Sequence, residues 1–168
     1  MKFEGRLVNS APLPSSWDLC SASGVVFTAV QLWTNLSVAI KQIDLDKQPI
    51  KELIINEILV MQALLHANIA NCIESILFKN ELWIVMDYVE GCSLTDIVTA
   101  NLLTEGQIAA VSREIAQGLQ YLHEHGVIHC DIKSNHVLLS LAGDVKLSMY
   151  EIYPRDKIPD KCHCPNDS

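Results

Sequence analysis

The sequence predicts an α+β fold: a small twisted antiparallel sheet interrupted by one helix, followed by a mainly helical stretch. Three observations carry this. β-branched runs come in two pairs, each joined by a short polar turn; a long apolar segment of helical period separates the pairs; and beyond residue 93 the hydrophobic period lengthens from that of a strand to that of a helix. With 168 residues, 49% hydrophobic and 19% charged, the chain has enough apolar mass for a core, so one domain or part of a larger one is expected. The net charge of -8 is spread along the sequence. No clustered basic stripe is available for nucleic acid or an anionic membrane, and neither partner is expected.

Residues 1–16 carry Pro12, Pro14 and several serines without periodicity, which reads as a disordered leader, with folded structure beginning near Trp17. GVVFTAV (24–30) and LSVAIKQI (36–43) form a predicted hairpin with Asn35 in its turn. The next segment, 49–65, is a long helix. Leu53, Ile54, Ile58, Met61 and Leu65 recur at helical spacing, and Pro49 sits at the first turn. NCIESILF and ELWIVMDYV are two more strands, turned by Lys79-Asn80. Ser93 is a candidate N-cap for a short helix. Thr104 with Gln107 makes a capping box for a long one, whose face is Ile108, Val111, Ile115, Leu119 and Leu122 and whose stop is Gly126. VIHCDIKSNHVLLSL and VKLSMY follow as short strands about the turn AGD.

The opening MKFEGRLVNSAPLPSSW lacks a signal-peptide apolar core, and no stretch of about 18 apolar residues follows, so a cytoplasmic protein is expected. In that compartment the six cysteines, Cys20, Cys72, Cys92, Cys130, Cys162 and Cys164, are expected as reduced thiols. CHC at 162–164 has no second ligand pair at finger-like spacing, so a structural zinc site is not expected.

The blocks VAIKQIDL, KELIINEILVM, ELWIVMDY, SLTDIV, EGQIAAV, VIHCDIKS and VKLS, in this order, resemble the PAK family of GTPase-activated serine/threonine protein kinases over about residues 19–148. The resemblance implies a protein-kinase-like fold with a complete small lobe and only the beginning of the helical large lobe. The implied division is leader 1–16, small lobe 17–88, hinge and partial large lobe 89–150, and a divergent tail 151–168. The family's GTPase-binding and autoinhibitory segments are not supplied by residues 1–18, so control by small GTPases is not expected.

Phosphoryl transfer needs positioned phosphates, neutralising metal ions and an oriented hydroxyl more than covalent chemistry from the protein. By resemblance, Lys41 matches the strand lysine that holds the α- and β-phosphates and Glu57 its helix partner. Val26, Ala39, Met86 and Leu138 fall where the family sandwiches adenine, and Asp87 to Val89 match the hinge that bonds its edge; core packing would use the same apolar residues. Asp131 matches the catalytic base and Lys133 the lysine that steadies the transferred phosphate. The family's glycine loop is reduced to Leu19, Ser21 and Gly24, with Asp18 adding a negative charge, so ATP binding is expected to be weak. Met149 and His136 occupy the two magnesium-ligand positions. A hard cation wants oxygen there, which makes magnesium unlikely. Asn135, one position early on an extended strand, would point away. Cys130 replaces the arginine that meets an activation-loop phosphate.

The leading expectation is thus a PAK-like pseudokinase that works through protein interaction, with the apolar face of helix 104–125 left exposed for a partner because the remaining large-lobe helices do not fit in the residues that follow. The alternatives are an active ATP-dependent serine/threonine kinase using Lys41, Glu57, Asp131 and Lys133, and the product of a decayed kinase gene.

Overall fold

The computed structural model describes residues 7–12, 25–32, 34–47, 51–148 and 152–154. Its strands and helices are β1 Leu7–Pro12, β2 Val25–Gln31, β3 Leu36–Asp44, α1 Lys51–Ala63, β4 Cys72–Phe78, β5 Glu81–Asp87, β6 Gly91–Ser93, α2 Leu94–Ala100, α3 Glu105–Glu124, β7 Val127–His129, β8 Val137–Ser140, β9 Val145–Leu147 and β10 Ile152–Pro154. Among the described residues the first five strands form one antiparallel sheet in the order β1-β2-β3-β5-β4, and two smaller sheets, β10-β7 and β6-β8-β9, belong to the second part of the chain. This is the α+β architecture expected: a sheet-and-helix small lobe and the start of a helical large lobe.

Both hairpins turn where the polar residues predict. Asn35 (φ 55°) closes β2 to β3 and Lys79 (φ 56°) closes β4 to β5, in the left-handed region that a tight turn needs. The period of two then sorts side chains between the sheet's faces. From β3 and β5, Val38, Ile40 and Val85 pack with Ala29 and Ile76 on one face. Ile43, Leu82, Ile84 and Met86 point to the other, where they meet Ile58 and Met61 of α1 and continue to Leu122 of α3, Val127 and Ile152. One core therefore runs from the small sheet into the helical part.

Two sequence expectations are corrected at the start of the chain. Leu7–Pro12, placed in a disordered leader, is strand β1, paired with β2 from Leu7↔Gln31 to Pro12↔Phe27 with a register shift between Val8 and Ala11. An edge strand needs a ladder on one side only, so it tolerates proline at its end and shows little pattern. Helix α1 ends at Ala63, short of Leu65, which is 75% exposed; Leu64 enters the core instead. The helix stops because local side chains supply rival acceptors: Asn71 Oδ1 takes the His66 amide (3.0 Å) and His66 Nδ1 takes that of Asn68 (3.1 Å). Pro49, Trp17 and CHC at 162–164 lie outside the described residues.

Both helix caps form as the sequence indicates, each as a reciprocal capping box, Ser93 with Asp96 and Thr104 with Gln107. On α3, Val111, Ile115 and Leu119 pack on Val137, Val145 and Leu147, and Leu122 is fully buried. Ile108, the first residue of the predicted apolar face, is half exposed. Gly118 lets α3 approach closely: a Cβ there would stand 3.0 Å from the Asn68 carbonyl oxygen and 3.3 Å from Leu147 Cδ1. Gly126 (φ 71°) carries the chain from α3 into β7. β6 and β10 were not foreseen, being three residues each, too short to show a period. β10 also places an ordered strand, with Ile152 fully buried, in what the sequence presented as a divergent tail. None of the helices among the described residues is long and apolar enough to cross a membrane.

Because its hydroxyl caps α3 at an exposed site, Thr104→Ala should cost about 1 kcal/mol of stability, read as a fall of roughly 2–4 °C in Tm. Thr104→Ser should melt close to wild type. Equal melting of the alanine variant and wild type would show that the box does not hold the helix.

Candidate nucleotide cleft and catalytic loop

The apolar half of the cleft assembles from both parts of the chain. Val26 on β2, Val89 after β5 and Leu138 on β8 form one buried cluster, with Tyr88 packed against it. Ala39 and Met86, both buried, are directly paired in the β3-β5 ladder beside it. Of the residues that the resemblance places around adenine, Val26, Val89 and Leu138 thus share one cluster, while Met86 belongs to the core shared with α1. Lys41 lies in the same ladder, opposite Val26 and Ile84, and is only 5% exposed. An ammonium group is buried on a sheet at considerable cost and persists only where it is compensated. Glu57 sits on α1, and its side chain, like Leu19, Ser21, Gly24 and Met149, lies outside the described residues.

The loop after β7 is built on two buried histidines. A carbonyl cannot donate, so His129 must donate from Nε2 to Ser148 O (2.8 Å), and its Nδ1 accepts from the Asp131 amide (3.3 Å). That bond turns the chain at Asp131. His136, also 5% exposed, donates from Nδ1 to the Asp131 carbonyl (2.9 Å) and lies 3.3 Å from Asp131 Oδ2, while its own carbonyl accepts from the Ser148 amide (2.9 Å). Lys133 Nζ donates to the same Oδ2 at 2.8 Å. Asp131, 29% exposed, is therefore held from two sides.

The segment Ser134–His136 is a 3-10 turn and not the extended strand expected. Asn135 still faces away from the loop centre, but through contact with α2: Thr95 Oγ1 donates to Asn135 Oδ1 and accepts from Ser134 Oγ (2.7 Å). The expectation of six reduced cysteines is also corrected. Cys72 and Cys92 are free thiols, whereas Cys130, beside Asp131, is disulfide-bonded. Spacing along a sequence does not show which thiols the fold brings within bonding reach. Burial pushes the Cys72 thiol up to about 11.

The position that the resemblance gives to one magnesium ligand carries an imidazole whose Nδ1 is engaged with a backbone carbonyl. Sequence reading missed Asn68, Asn71 and Lys146, which tie the cleft together from behind. The signal was two asparagines standing inside the apolar stretch LLHANIANCI.

Burial lowers the His136 imidazole, with Lys133 and His129 acting the same way, against the pull of the Asp131 carbonyl and carboxylate. The unfolded chain takes up this proton near 6.5 and the folded loop resists it, so stability present at neutral pH is lost as pH falls below that value. The loss of Tm between pH 7.5 and 5.5 should be smaller in His136→Asn than in wild type; parallel losses would remove His136 from the account.

Comparison with known proteins agrees with this geometry. Residues 21–152 match the model of the protein kinase domain. Over 127 residues the chain is 67% identical to the serine/threonine-protein kinase SMU1 of Mycosarcoma maydis, 60% to the serine/threonine-protein kinase STE20 of Saccharomyces cerevisiae and 57% to the serine/threonine-protein kinase shk1/pak1 of Schizosaccharomyces pombe. Each match covers 76% of this chain and, respectively, 17%, 14% and 19% of the relative. The chain thus spans less than a fifth of the length of these relatives, within their kinase domain, and it belongs to the protein kinase domain family in its STE20/PAK-like form.

Proposed function

We propose that this chain is a pseudokinase segment: a STE20/PAK-like kinase domain that keeps a nucleotide cleft, does not transfer phosphate, and acts by binding another protein. The observation that carries the proposal is His136. Where the family resemblance calls for an amide oxygen toward magnesium, an imidazole is buried and bonded back onto Asp131. Met149 replaces the second oxygen ligand with a thioether. Losing a single preorganised charge stabiliser costs roughly a hundred- to thousand-fold in rate, and here both metal positions and much of the glycine loop have changed.

ATP binding is proposed to be weak and independent of magnesium. The adenine sandwich and Lys41 support it, while Leu19, Ser21 and Asp18 oppose it at the phosphates. For the protein partner, the supporting feature is the apolar surface of α2, α3 and their connection, where Val98, Leu102 and Ile108 are all exposed. The rival reading is an active serine/threonine kinase. It is favoured by the Lys133–Asp131 contact of 2.8 Å, which leaves the base and its neighbouring cation in place.

Phosphate transfer from ATP to a basic serine peptide, with magnesium or manganese, separates the two. The expected result is no transfer above that of Asp131→Ala. Magnesium-dependent phosphorylation that disappears in Asp131→Ala would establish the active kinase instead.

A further inference from the structure

The polar network behind the hinge centres on one carboxylate. Asp87 Oδ2 accepts from Asn71 Nδ2 (2.9 Å), from the Asn71 amide (3.3 Å) and from Lys146 Nζ (3.2 Å), and the Asp87 amide donates to Asn71 O (3.0 Å). Lys146 Nζ also donates to Ile69 O (3.3 Å). On its backbone side, Lys146 is paired with Leu138 in the β8-β9 ladder. Leu138 is the large-lobe face of the apolar sandwich, and Asp87 begins the hinge at the sandwich's edge. A single residue therefore joins the floor of the adenine pocket, the hinge and the α1–β4 connection.

From this geometry we infer that Lys146 is a positioning residue for the adenine pocket, acting through Asp87 to fix the hinge against the floor strand without touching the nucleotide. The inference rests on the reading of the cleft as a nucleotide site. Its chemistry is that of a charge-assisted hydrogen bond at an intermediate depth: the two side chains are 21% and 30% exposed, so the contact is neither a solvated surface pair nor a buried one. Without the ammonium, Asp87 keeps Asn71 alone. The hinge loses its tie to β9, and its backbone groups no longer stand at a fixed distance from Leu138. Since the network lies behind the pocket and holds no phosphate-facing group, its effect falls on adenine binding and is the same with or without metal.

The test is titration of metal-free ADP, in EDTA, into wild type, Lys146→Met and Lys146→Arg, together with amide hydrogen exchange over residues 86–90. Lys146→Met should bind ADP roughly three- to tenfold more weakly and exchange faster at the hinge, while amides of α3 stay as protected as in wild type; Lys146→Arg should recover both. Unchanged hinge exchange and unchanged ADP affinity in a folded Lys146→Met would overturn the inference. If wild type binds no ADP, the nucleotide reading fails, and the exchange data alone decide whether Lys146 holds the hinge. Should Lys146→Met not fold, Asp87→Asn, which removes the charge and keeps an acceptor for Asn71, is judged by the same two readouts.

Discussion

The connection from α1 to β4, residues 64–71, is the constraint on which the two parts of this molecule depend. Asn68, 6% exposed, donates from Nδ2 to Glu114 on α3 (2.9 Å) and to Val145 O on β9 (3.0 Å), and its carbonyl accepts from the Leu147 amide (2.8 Å). Leu147 O in turn accepts from the Ala70 amide (2.8 Å). Asn68 and Ala70, both buried, thus bond their backbone to β9 of the large-lobe sheet, while Asn71 bonds to Asp87 of β5. Gly118 permits the approach, and Leu122, Ile69 and Met61 fill the space beside it. A bulkier residue at either asparagine would leave buried amide and carbonyl groups without partners, a penalty of about 1–3 kcal/mol each.

The same frame holds the loop after β7 in shape. His129 and Ser148 pin the loop's two ends together, and His136 closes it from within by donating to Asp131. Asp131 remains oriented, with Lys133 and His136 against its carboxylate, yet oxygen ligands for a hard cation are absent at His136 by residue type. The cleft follows a similar rule. Val26, Val89 and Leu138, which the resemblance assigns to adenine, form a packed cluster that the core would keep for packing alone. The positions that the resemblance assigns to the phosphate loop carry Leu19 and Ser21 in place of glycine, with Asp18 beside them.

How far the sequence discloses this follows from the range of each interaction. Hairpins at Asn35 and Lys79-Asn80, the N-cap at Ser93 and the capping box at Thr104 are settled within a few residues, and all were legible. β1, β6 and β10 owe their existence to distant partners, and the latter two are too short for a period to show; the 3-10 turn at Ser134–His136 is fixed by His136 and by Thr95, thirty-nine residues before Ser134. The Cys130 disulfide and the Asp87–Lys146 contact, fifty-nine residues apart, are likewise products of the fold. The positions of Lys41, Asp131 and Lys133 came from motif resemblance; Lys41 lies on β3 and Asp131 and Lys133 in the loop after β7, whereas the side chains of Glu57 and Met149 fall outside the described residues.

The central claim is that nucleotide affinity persists on the adenine side while metal-assisted chemistry does not. It is tested most directly by melting the protein with increasing ATP, with and without magnesium or manganese, and repeating the series on Lys41→Ala. The account predicts a small stabilisation that grows with ATP, is the same with and without metal, and is lost in the variant. A stabilisation that appears only when metal is present would contradict it.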